Sequence, residues 1–78
     1  MKYRIYANEK GWELIDTKSS LESVIKVIDE LIANEIFHFI VIEHDCINNV
    51  DFPIITTIES YKEIKENIKK KKVKRLSI

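Results

Sequence analysis

The chain has 78 residues with no net charge, and it contains one glycine, one proline and one cysteine. Ile, Leu, Val and Phe supply 27 of the 78, which excludes a disordered chain and predicts a single small domain. No apolar run approaches the ~20 residues of a membrane-spanning helix, and one cysteine cannot form an internal disulfide.

The start, Met1 to Lys10, has no apolar signal-peptide core, so the expected address is the cytoplasm. Residues 2–7 alternate in character and are rich in β-formers, which predicts a strand. Gly11 tolerates positive φ and suits a tight hairpin turn after Asn8-Glu9-Lys10. A second strand over 11–17 then puts Trp12 and Leu14 on one face, Glu13 and Ile15 on the other.

Ser19-Ser20-Leu21-Glu22 has the form of a capping box. Apolar residues follow at 21, 24, 25, 28, 31 and 32, the spacing of a helix over 19–34. Residues 36–42, Ile-Phe-His-Phe-Ile-Val-Ile, are too short and too β-branched for a helix. As a strand they carry Phe37, Phe39 and Val41 on one face and Ile36, Ile40 and Ile42 on the other, the pattern of a central strand covered on both sides. A polar loop over 44–51 precedes a strand over 52–58, with Pro53 near its start, where a missing donor does least harm. Ser60-Tyr61-Lys62-Glu63 is a second capping box, opening a helix over 60–70 with a narrow stripe of Tyr61, Ile64 and Ile68. Residues 73–78 suit a short edge strand, a helical extension or a tail.

The expected fold is α+β: two layers in the order ββαββα(β), with an antiparallel or mixed sheet of four or five strands and two helices packed on it. Residues 1–70 form the domain and residues 71–78 a basic C-terminal edge strand or tail. With a final strand, residues 11–78 would follow the βαββαβ order of ferredoxin-like folds, an analogy of element order alone.

Glu43-His44-Asp45-Cys46 is the one cluster of chemically able residues. On a strand, His38 and His44 would stand ~20 Å apart, too far to share an ion. Cys46 has no Cys-x-x-Cys partner and no base at a defined spacing, so it is expected to be dispensable. A single glycine cannot build a phosphate-cradling loop. Phe37 and Phe39 suit a core better than a base-stacking platform. No catalytic, cofactor or metal site is therefore expected, and the chain is read as a non-enzyme.

The charges are segregated. Residues 1–61 carry five basic and eleven acidic groups, and residues 62–78 carry eight basic and two acidic ones. The candidate partner-binding residues are Lys62, Lys65, Lys69, Lys70, Lys71, Lys72, Lys74 and Arg75. A second candidate surface is the sheet face that two helices on one side would leave bare. Ile36, His38, Ile40, Ile42 and Ile55 are its expected dimer-interface residues. The functional expectation is a small protein–protein interaction module of inhibitor, immunity or regulatory type, acting on a protein partner as a homodimer. Its richness in Ile, Lys and Asn, whose codons are A/T-rich, fits a mobile element. The alternative is a nucleic-acid-associated protein that binds phosphate non-specifically through the basic C-terminal end.

Overall fold

The computed structural model describes the backbone of residues 2–76 and the side chains of residues 2–70. The elements follow one another as β1 (Lys2–Asn8), β2 (Trp12–Lys18), α1 (Leu21–Ala33), β3 (Phe39–Asp45), β4 (Val50–Ile55) and α2 (Ile58–Leu76). The fold is α+β, with two helices on a four-stranded sheet of order β2-β1-β3-β4. All neighbouring strands are antiparallel, so β2 and β3 run parallel on either side of β1. α1 is thus the crossover of a split βαβ unit.

The first hairpin is closed where the lone glycine stands. Gly11 has φ of +131°, and its amide donates to Asn8 Oδ1 over 3.0 Å. Both predicted capping boxes are displaced from their expected positions. In α1 the cap is Ser20, whose hydroxyl accepts from the Ser23 amide, one residue later than the Ser19-x-x-Glu22 reading. In α2 the reciprocal pair is Thr57 and Ser60. The Ser60 amide donates to Thr57 Oγ1 over 3.1 Å and the Thr57 amide to Ser60 Oγ over 3.0 Å, so serine takes the place usually held by glutamate. Starting from Ile58 rather than 60, α2 brings Ile58 into partial burial against the core.

α1 ends in a Schellman motif, with the Glu35 amide on the Ile32 carbonyl and the Ile36 amide on the Leu31 carbonyl. Glu35 takes the left-handed conformation, φ +62°, normally given to glycine there. Ile36 consequently belongs to the turn that closes the helix, and β3 starts at Phe39, three residues later than expected.

The core is one cluster: Tyr3, Ile5, Phe39, Val41 and Ile55 from the sheet, Val24, Ile25 and Ile28 from α1, and Tyr61 from α2. Two bulges decide which residues join it. Ile5 pairs with Asp16 and Tyr6 with Leu14, which leaves Ile15 as the extra residue of β2. Val41 pairs with Ile55 and Ile42 with Pro53, which leaves Ile54 as the extra residue of β4. A one-residue insertion turns the remainder of its strand to the opposite face. Strict alternation from Pro53 would have turned Ile55 to the bare face; the bulge turns it into the core, where it is fully buried.

α2 continues without a break through Leu76, so residues 73–76 are helical rather than a fifth strand. Residues 77–78 of that expected segment lie outside the described residues. The resemblance in element order to βαββαβ therefore stops at the second helix. Among the described residues no helix is long and apolar enough to cross a membrane.

Candidate functional site

Both helices cover the same side of the sheet. The opposite face is built in rows across the strands. Tyr6 stands between Leu14 and Ile40, Asn8 pairs with Trp12, and Ile42 lies between Arg4 and Pro53. Trp12 is 52% exposed and Leu14 53% exposed. Tyr6, Trp12, Ile40 and Ile42 line a shallow apolar depression of about 220 Å³. The other end of this face is polar. Lys2 pairs with His44 and His44 with Asp51, and His44 Nδ1 lies 2.6 Å from Asp51 Oδ1.

Of the residues expected on this face, Ile40 and Ile42 are there. Ile55 is in the core on the other side, turned there by the bulge at Ile54. Ile36 belongs to the helix end, and His38 lies exposed before β3, its carbonyl accepting from the Asn8 amide over 2.9 Å. Tyr6, Trp12 and Leu14 complete the face without having been expected at an interface. The signal was the apolar pair Trp12 and Leu14 two residues apart; reading it required knowing that no helix covers them.

The second surface lies on the helix side. α2, the end of α1 and the segment after it enclose a groove of about 480 Å³. Ile32, Phe37, Ile58 and Tyr61 contribute its apolar lining, and Lys62, Lys65 and Lys69 its cationic lining, with Glu66 among them. Phe37 is 48% exposed there rather than packed in the sheet.

A polar clamp ties the two helices together beside this groove. The Tyr61 hydroxyl donates to Asp29 Oδ1, and Lys65 Nζ donates to the same oxygen over 3.0 Å. Lys65 also lies 3.1 Å from the Tyr61 hydroxyl. Burial alone would push the Asp29 carboxyl up, but the hydrogen bonds from Tyr61 and Lys65 outweigh it and hold the group below its ordinary range. Burial, then the bond to Asp29, pushes the Tyr61 hydroxyl up. The hydrogen bonds to Tyr61 and Asp29 raise Lys65. The ring of Tyr61 meets Phe39 edge-on with centroids 6.1 Å apart, which continues the clamp into the core.

Of the eight expected cations, Lys62, Lys65 and Lys69 converge on the groove and Lys70 is exposed outside its lining. Lys71, Lys72, Lys74 and Arg75 lie on the helical backbone of α2, and their side chains are outside the described residues.

The cluster at Glu43 to Cys46 is dispersed. Asp45 closes the β3–β4 loop by accepting from the Ile47 and Asn48 amides and the Asn48 side chain. Those bonds, Asn48's side chain foremost, hold its carboxyl low. Cys46 is exposed in that loop. Among the described residues no three His, Cys, Asp or Glu side chains gather around a point that could hold a metal ion. Comparison with protein-family models, curated proteins and solved structures gives no match for this chain.

Proposed function

We propose that this chain is a non-enzymatic protein–protein interaction module of inhibitor, immunity or regulatory type that acts in the cytoplasm as a homodimer. The observation that carries the reading is the sheet face opposite the helices, where Tyr6, Trp12, Leu14, Ile40 and Ile42 stand together with no second layer among the described residues. Exposed apolar surface costs ~25 cal/mol per Å², and contiguous patches of it mark interfaces. Four strands spaced ~4.8 Å apart, each of about seven residues rising ~3.4 Å, give a face of roughly 450 Å². Two such faces in full overlap would bury at most about 900 Å², below the ~1,200–2,000 Å² of standard interfaces. That size supports a reversible dimer rather than an obligate one.

The charge layout supports a two-fold pairing. With the axis across the strands, near the row of Tyr6, Leu14 and Ile40, the apolar rows meet one another. Lys2 and Arg4 then fall toward the outside instead of facing their own copies. Trp12 is the only tryptophan and stands in the patch, so its emission reports burial directly. Sedimentation from 1 to 200 μM should show a monomer–dimer equilibrium, with Trp12 emission shifting to the blue as dimer forms. Leu14→Asp should weaken the dimer at least tenfold with little change in unfolding midpoint measured on dilute monomer. A monomer at 200 μM overturns the homodimer.

The continuity of α2 through Leu76 supports one alternative. It sets the cations of residues 62–75 on a single helix suited to nucleic-acid phosphate. If about five of them met phosphates, the slope of log K against log salt on duplex DNA would be about −4 to −5. No binding at low salt discards this alternative.

A further inference from the structure

We infer that the groove between α1 and α2 docks an acidic, amphipathic segment of a protein partner, with apolar side chains entering beside Phe37 and Ile58 and carboxylates meeting Lys62 and Lys69. This deepens the interaction-module reading and rests on it, while using the face of the molecule opposite to the dimer patch. Both surfaces can therefore be occupied at once.

Phe37 stands where a visiting side chain can reach it. Phe37 is half-exposed on the segment between α1 and β3, and the Schellman turn before it sets where that segment leaves the helix. Beside it, Ile32 and Ile58 continue the apolar lining. Such a surface rewards the burial of one or two large apolar side chains.

Charge complementarity selects the kind of segment. Lys62, Lys65 and Lys69 recur at helical spacing along one stripe of α2 and face the groove together, with Glu66 the one acidic residue of the lining among the described residues. Lys65 is already hydrogen-bonded to Asp29 and Tyr61; Lys69 acts on Asp29 only at longer range, so among the described residues Lys62 and Lys69 are the lining cations that can meet a visitor. From Ile58 to Lys69 the helix rises roughly 16 Å, about three turns of a docked helix or five residues of an extended strand. Lysines in this position act chiefly by steering and by excluding cationic competitors, while the apolar contacts hold the complex. In a dimer the grooves would be presented twice, so a partner carrying two such segments would gain by avidity.

The test uses the full chain, ¹⁵N-labelled. The probe is a short synthetic peptide of Glu, Leu and Phe with its apolar residues at helical spacing. An all-Glu peptide and an analogue with Lys for every Glu are controls, and a short DNA duplex is titrated in parallel. The expected result is saturable shifts of Phe37, Ile58, Lys62 and Lys69 amides with the amphipathic acidic peptide. Binding should be at least tenfold weaker for the all-Glu peptide and undetectable for the Lys analogue. Lys62→Glu with Lys69→Glu, both exposed positions, should weaken binding tenfold or more, and Phe37→Ala severalfold, with the spectra otherwise native.

Four outcomes overturn the inference. These are no saturable shift, shifts centred on Tyr6, Trp12 and Ile42, equal affinity for the all-Glu peptide, or DNA binding indifferent to Phe37→Ala with no peptide binding. Sedimentation of the same samples separates the two proposals. A dimer that ignores the peptide sinks this inference alone, and a monomer that binds it in the groove sinks the homodimer alone.

Discussion

The two faces of the sheet are made from alternate residues of the same strands, yet they have different fates. Ile5 and Val41 are fully buried, while their chain neighbours Tyr6 and Ile42 remain in partial contact with water. Composition does not separate them, since both faces are rich in Ile and aromatic residues. What separates them is that α1 and α2 land on one side. α1 is a crossover between the parallel strands β2 and β3, and such crossovers take one hand almost without exception, so its side is set by topology. α2 then joins α1, because Tyr61 and Ile58 pack against the same core. One face thus carries the core of the monomer, and the other is left without a helix on it among the described residues.

The largest expected effect tests that division directly. Val41→Ala removes buried volume from the centre of the covered face and should cost about 2–3 kcal/mol, read from the urea midpoint of dilute monomer. Ile42→Ala, one residue along on the bare face, should cost under about 1 kcal/mol in the same assay, because much of its surface is already hydrated. Equal losses would mean that a second layer covers both faces even in the monomer.

A smaller effect probes how the register is set. Gly11 closes the β1–β2 hairpin and so decides that Trp12 and Leu14 share a face with Tyr6. An added Cβ would meet nothing within 4 Å, so any penalty for Gly11→Ala comes from the backbone at φ +131°. A cost of about 1–2 kcal/mol is expected, with Tyr6 and Trp12 amides among the most shifted in an NMR spectrum. A neutral substitution would show that the strands, not the turn, hold the register.

The division into faces was legible in part. Helical spacing over Leu21 to Ile32 and the doubly apolar run around Phe39 to Ile42 were enough for element order and for a bare face carrying Ile40 and Ile42. Alternation along the sequence puts Ile55 on the bare face because a bulge has no reliable local signature: positions 54 and 55 are both isoleucine, and only pairing with Val41 tells which one turns inward. The sequence pattern puts Ile36 in the sheet because the turn that ends α1 carries Glu35 at its left-handed position, where the usual glycine signal is missing. The basic C-terminal end was visible as charge, but the groove was not. It depends on Phe37 being set outside the sheet next to Lys62 and Lys69, a juxtaposition of segments more than twenty residues apart in sequence.

The smallest effect concerns what holds the helices on their chosen face. Asp29 on α1 receives hydrogen bonds from Tyr61 and Lys65 on α2, and its carboxyl is held below the ordinary range. A group with a lowered folded pKa contributes stability above its unfolded value, about 3.9, and that contribution is lost as pH falls through the folded value. Tyr61 and Lys65 are raised, so their contributions are complete below their ordinary values of 10.0 and 10.5 and fade at higher pH. The clamp should therefore help across the neutral range and weaken at both extremes. Because the Asp29 and Lys65 side chains are 42% and 35% exposed, water screens the pair and its worth is about 1 kcal/mol or less. Asn at position 29 keeps an oxygen for the Tyr61 hydroxyl but removes the charge. Asp29→Asn should thus lower stability slightly at pH 7 and flatten the decline between roughly pH 5 and 2, measured as urea midpoints across that range. An acid limb of unchanged steepness would remove Asp29 from the groups that hold α2 against α1, and would leave the apolar contacts of Tyr61 as the fastening of that layer.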